Sequence, residues 1–204
     1  MDREQPPQQE PAEQPEYGEQ DPRIPPQIWV GSLLDYNNGI LYGEWLDPVR
    51  EPEAIHADIH EMLDLSPTAR ETGEVAEEWG IFDYEGFGQL RVDQHESIEV
   101  VSRIAQGIAE HGLAYAAYAD VMDADPDAMA GFTVSYQGHY ASVEAYVEQL
   151  VDDLGYQRLI DEAAPESLRQ HVRIDVAALA HDMELGGELH VLPADDGGVW
   201  IFTE

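Results

Sequence analysis

Several groupings of side chains in this 204-residue chain have types and spacings that could do chemistry. His56 and His60 stand at i and i+4, which would set two imidazoles on one helix face, within reach of a single metal ion. The chain continues Glu61-Met62-Leu63-Asp64, so the second histidine of an H-E-x-x-H zinc motif is missing, and solvated helix-face histidines are the default. Asp123, Asp125 and Asp127 imitate the start of a calcium loop. Its sixth position, however, holds Ala128 instead of glycine, and its twelfth holds Val134 instead of glutamate. An acidic turn that ends a helix fits better. Gly86-Phe87-Gly88 lacks the further glycine and the lysine with which a phosphate-cradling loop holds its anion. There is no G-x-S-x-G elbow and no cysteine, and carboxylates are too numerous to single out an acid/base pair. Neither an enzyme nor a cofactor or metal site is expected.

One further grouping is a row of carboxylates. Glu144, Glu148 and Asp152 repeat at i, i+4 and i+8, with Asp153 beside them. Like charges at that spacing destabilise a helix by about 0.2–0.5 kcal/mol per pair, and no basic residue is interleaved to offset them. The whole chain shares the bias: 43 Asp and Glu against nine arginines and no lysine give a formal net charge of −34. Nucleic-acid backbones are held by Lys and Arg, so direct nucleic-acid binding is excluded by sign. A protein that competes with DNA for another protein's basic groove is not excluded. Fixed carboxylates can stand in for phosphates, which duplex DNA presents at roughly one charge per 1.7 Å of axis. An ordinary solvated face, halophilic adaptation, or a GC-rich genome's use of Arg over Lys are the plainer explanations.

Those carboxylates need elements to hold them. Hydrophobic residues make up 43% of the chain, enough to bury a core despite the charge. No run approaches 18 apolar residues and no signal-type segment opens the chain, so neither membrane insertion nor ordinary export is expected. The lack of cysteine suits a reducing cytoplasm. Residues 1–24, rich in Gln, Pro and Glu, are expected to form a disordered acidic tail.

Residues 25–93 read as an N-terminal α+β domain. Ile28-Trp29-Val30 and Ile40-Leu41-Tyr42 form a hairpin across Asn37-Asn38-Gly39; a helix with Ile55, Ile59, Met62 and Leu63 on one face and a strand Trp79–Tyr84 follow. Residues 94–130 read as a helical domain. Ile98, Val101, Ile104 and Ile108 line one helix that Gly112 ends, a second runs from Leu113 to Met122, and Asp123–Pro126 break it. Residues 131–204 read as a C-terminal α+β domain. After a segment Tyr136–Tyr140, Ser142 caps a helix whose Val143, Tyr146, Val147, Leu150, Val151 and Leu154 share one face, and Gly155 ends it. A helix from about Asp175 to Met183 and strands Glu188–Leu192 and Val199–Thr203 close the chain. The fold class is α+β, with strand-containing ends flanking a helical middle.

Five blocks, in order, resemble the ArdA antirestriction family. They are Val30-Gly31 leading into Tyr36-Asn37-Asn38-Gly39; Gly43-Glu44-Trp45-Leu46-Asp47; Phe82-Asp83-Tyr84-Glu85-Gly86-Phe87; Tyr136-Gln137-Gly138-His139-Tyr140 with Ser142 and Tyr146; and Ile174-Asp175 followed by Asp182. The resemblance runs from Ile28 to about Phe202. It implies a cytoplasmic DNA mimic carried by mobile genetic elements, an elongated chain of three small domains that is usually a homodimer. Such a protein occupies the DNA-binding groove of type I restriction–modification enzymes and blocks restriction, with modification open to the same block. On that reading the acidic surface comprises Glu144, Glu148, Asp152, Asp153, Asp175, Asp182, Asp83 and Glu85. Tyr36, Asn37, Asn38, Gly39, Trp45, Tyr84, Gly86, Tyr136, Gly138 and Tyr140 are motif residues expected to be structural. Two features depart from the family: the tail is additional, and His181 stands where relatives typically have Arg before the second acid of the last block. The alternative is an acidic interaction or chaperone module for basic DNA-binding proteins.

Overall fold

A computed structural model of the chain describes residues 24–203, so the expected tail, apart from Ile24, lies outside the described residues. Antiparallel three-stranded sheets form near both ends of the sequence, with helices between them. The first sheet has β1 (Gln27–Ser32) at its centre, flanked by β2 (Gly43–Leu46) and β3 (Trp79–Glu85). The third strand thus joins the first two as its β-rich sequence predicts.

The second strand does not begin where expected. Ile40-Leu41-Tyr42 lies outside the sheet, and the connection from β1 is a short helix α1 (Leu33–Asn37) followed by a turn at Gly39. The reason is Asp35, the one charged residue that is buried among the described residues. Ser32 caps α1 by accepting the Asp35 backbone N–H at 3.3 Å. The Asp35 carboxylate in turn accepts from the Ser66 hydroxyl at 2.6 Å and the Thr68 backbone N–H at 2.9 Å. Ser66 caps α3 (Pro67–Thr72), which follows α2 (Pro52–Asp64). One carboxylate therefore ties the exit of β1 to the start of α3. Burial pushes its pKa up, but hydrogen bonds from Ser32, Ser66 and Thr68 outweigh that and bring it down to about 2.

Helix α4 (Ile98–His111) packs against both α5 (Leu113–Val121) and α2. Ile98, Val101, Ile104 and Ile108 all point into the core, at the spacing that marks one helix face. Short helices α6 (Pro126–Met129) and α7 (Phe132–Ser135) lead to the second sheet. There β6 (Val199–Thr203) is central, between β4 (Tyr136–Tyr140) and β5 (Leu189–Pro193). Helices α8 (Val143–Leu154), α9 (Tyr156–Ala163) and α10 (Val176–Gly186) lie between β4 and β5 in sequence.

The buried apolar side chains form two clusters. The larger joins the inner face of the first sheet (Ile28, Val30, Ile81) to α2, α4 and α5 and to Phe132; the smaller joins α8 and α10 to the second sheet through Tyr146, Val147, Val151, Ala180 and Ile201. Strand β6 connects them. Successive strand side chains point to opposite faces, so Ile201 enters the smaller cluster while Phe202 enters the larger. The Phe202 ring stacks on Tyr118 at 5.0 Å and meets Phe132 edge-on at 5.8 Å.

Asp35→Ala is expected to destabilise the fold by about 2–4 kcal/mol, because it orphans a buried hydroxyl and a buried N–H. That corresponds to a melting temperature lower by on the order of 5–10 °C, measurable by thermal denaturation followed by circular dichroism. The Asp35 pKa is lower in the folded chain than the ordinary 3.8. Its stabilisation, about 2 kcal/mol, is accordingly complete above pH 4 and lost as pH falls toward 2, and the variant should lack that part of the acid dependence.

Candidate acidic interaction surface

Helix α8 starts where Ser142 accepts the Ala145 N–H at 3.2 Å and stops at Gly155, which adopts the left-handed conformation. Its apolar face is fastened to the second sheet and α10 by Tyr146, Val147 and Val151. That packing leaves Glu144, Glu148, Asp152 and Asp153 exposed, in the rotation their spacing predicts. Glu148, Asp152 and Asp153 make no side-chain hydrogen bond or ion pair among the described residues. Glu144 has a local role as well. Its own backbone N–H and the Ser142 side chain hold its carboxyl below the ordinary carboxylate range, at the helix end where negative charge is favoured.

The neighbouring helix contributes less uniformly. Asp175 is the N-cap of α10 and accepts the Ala178 N–H at 3.0 Å, so its carboxylate starts a helix. Asp182 is exposed farther along, and His181 beside it is exposed too. Asp83 and Glu85 belong to the other end of the chain, on the outward side of β3, opposite Trp29 and Gln27 of β1. Helices α8 and α10, which carry the α8 row and Asp182, share the apolar cluster of the second sheet, whereas Asp83 and Glu85 lie on the first.

A further concentration of negative charge was not read from the sequence. Glu44 on β2 lies beside Asp58 and Glu61 of α2, along a recess that Tyr42 and Met62 also line. Partial desolvation, and then the charges of Asp58 and Glu61, push the Glu44 carboxyl above its ordinary range. Arg50 relieves this in part by pairing with Asp58 at 2.5 Å. The spacing of Asp58 and Glu61 on one helix face was a legible signal; their approach to Glu44 was not, because it depends on α2 packing against β2.

The motif residues divide. Tyr84 packs edge-on against Phe87 at 5.9 Å, Tyr136 stacks on Phe132 at 5.1 Å, and Tyr140 meets Tyr146 at 5.1 Å. Asn38 donates its side-chain amide to the Leu34 carbonyl at 2.9 Å, while Asn37 is exposed at the end of α1. Gly86 has φ +78°, and a Cβ there would meet the Ile24 and Pro25 backbone at about 2.6 Å, so only glycine fits. Gly39 and Gly138 also have positive φ. Tyr36 and Trp45, by contrast, are exposed.

The metal-like groupings have other partners. His56 Nε2 lies 3.4 Å from Glu99 Oε1, and Asp125 caps α6 by accepting the Asp127 and Ala128 N–H groups. Among the described residues no three His, Asp or Glu side chains converge on a common point. No helix among them is long and apolar enough to cross a membrane.

The family model described as "Antirestriction protein (ArdA)" matches residues 28–196. No curated protein matches the chain.

Glu148→Arg should turn both like-charge steps of α8 into attractive ones and stabilise the fold by about 0.5–1 kcal/mol, read from urea denaturation. A loss of stability would mean that Glu148 holds local structure.

Proposed function

The chain belongs to the ArdA antirestriction family, and from that premise we propose that it is a DNA mimic which occupies the DNA-binding groove of type I restriction–modification enzymes. The observation that carries this reading is the α8 row. Glu148, Asp152 and Asp153 face solvent without partners among the described residues on a helix whose opposite face is packed, and Glu144, Glu148 and Asp152 repeat at a spacing that lowers the helix's own stability. Charges kept at a cost to the fold are explained by a partner that supplies the missing cations.

The mechanism follows from polyelectrolyte physics. A basic groove and DNA release counterions when they associate, and an acidic protein of matching form gains the same release. Holding the carboxylates on packed helices lowers the ordering cost that a flexible polyanion would meet. Asp83 and Glu85 on the first sheet and the Glu44 recess extend the proposed array beyond one helix. Restriction and modification draw on the same groove, so both are open to inhibition. The proposed working unit is a cytoplasmic homodimer, which doubles the array. The same excess of negative charge opposes direct binding of nucleic acid.

Titration of the protein into a type I restriction enzyme bound to labelled duplex DNA should displace the DNA at near-stoichiometric ratio. Affinity should fall by on the order of 10³-fold between 50 and 200 mM salt if six or more charged contacts form. Absence of displacement at any ratio would refute the mimic. Asp152→Asn alone should change inhibition little, whereas joint neutralisation of Glu144, Glu148, Asp152 and Asp153 should weaken it and flatten the salt slope. Abolition by the single substitution would instead mark a localised contact.

A further inference from the structure

The outer face of the first sheet carries aromatic rings that no second layer among the described residues covers. Strand register sets Trp45, Trp29 and Asp83 in one row across the three strands, and Gln27 opposite Glu85 in the next. A bulge in the pairing of β1 with β3 turns Phe82 to the same side, where its ring lies 5.7 Å from Trp29 and 4.9 Å from Tyr36. Gly31 and Gly43 lack side chains at the next positions, and the Trp29 indole lies over both. A Cβ would meet that ring at 2.7 Å from Gly31 and at 2.8 Å from Gly43. Trp45 is 44% exposed and Tyr36 54%. The solvent side of a sheet in so polar a chain should alternate to charged and hydroxyl side chains; instead, four rings stand together with Asp83 and Glu85 along one edge.

We propose that this face binds arginine side chains presented by a basic protein surface. An aromatic ring attracts a cation over its face, a planar guanidinium also stacks there, and an adjacent carboxylate receives its N–H groups. Lysine offers a compact, strongly hydrated charge and gains less from the same surroundings. A second copy of the chain is a poor occupant of this particular face, since a two-fold contact here would set its Asp83 and Glu85 against these carboxylates. The inference rests on the groove reading for the identity of the partner, and it adds a short-range contact that DNA phosphates do not make.

Tryptophan fluorescence titrations with octa-arginine and octa-lysine test it without the enzyme. The unsubstituted protein should bind octa-arginine several-fold more tightly, Trp45→Ala with Tyr36→Ala should remove that preference, and Trp45→Phe with Tyr36→Phe should keep it. Equal affinities for the two peptides, or a preference untouched by the alanine pair, would overturn the proposal. In the DNA-displacement assay the alanine pair should require about ten-fold more protein, with the salt slope unchanged. An alanine pair as potent as an active unsubstituted protein would also overturn it. Failure of the unsubstituted protein to displace DNA would sink the groove reading alone, and the peptide titrations would still decide the arginine preference.

Discussion

Uncompensated negative charge is the constraint under which the rest of the molecule is built. With nine arginines for 43 acids, internal pairing cannot neutralise the chain, and almost every carboxylate must stay hydrated. Asp35 is buried only because the Ser66 hydroxyl and the Thr68 backbone N–H replace water around its carboxylate. The remaining repulsion is opposed by apolar burial in two clusters. Strand β6 makes those clusters mutually dependent by sending Ile201 into one and Phe202 into the other. A strand covered on both faces is an efficient use of few residues in a chain that can spare little surface for the core.

The same constraint joins stability to function. Helix α8 gains nothing in its own fold from Glu148 and Asp152, yet its packed face holds them in place. Glu144 and Asp175 differ, because each also satisfies or complements a helix N-terminus. The acidic residues therefore form no uniform class: some begin helices, Asp35 anchors a connection, and Glu148, Asp152 and Asp153 have no partner among the described residues.

Two kinds of surface follow from this arrangement, and they act over different distances. Exposed carboxylates on α8, on α10 and around Glu44 act over roughly a Debye length, about 8–10 Å at ordinary salt. The ring cluster of Trp29, Phe82 and Tyr36 acts only on contact. Charge sets how quickly and how salt-dependently a basic partner is met, and contact surfaces discriminate among partners that charge alone treats alike.

What was legible in the sequence was whatever depends on neighbours along the chain. Helical periodicity placed Ile98 to Ile108 and the two faces of α8, Ser142 and Gly155 marked that helix's ends, and β-rich runs placed β3, β5 and β6 to within a residue or two. The family match along residues 28–196 likewise followed from ordered local blocks. Tertiary structure decided what depends on distant residues. Ile40–Tyr42 carries β-forming side chains but is excluded from the sheet because Ser66 and Thr68, some thirty residues on, capture Asp35 and fold Leu33–Asn37 into a helix. Glu44 meets Asp58 and Glu61 only because α2 packs on β2, and Trp45 comes to lie beside Trp29 only through strand register. Local propensity and pattern are written within a few residues, whereas burial, register and charge clustering are fixed by contacts that close over long loops.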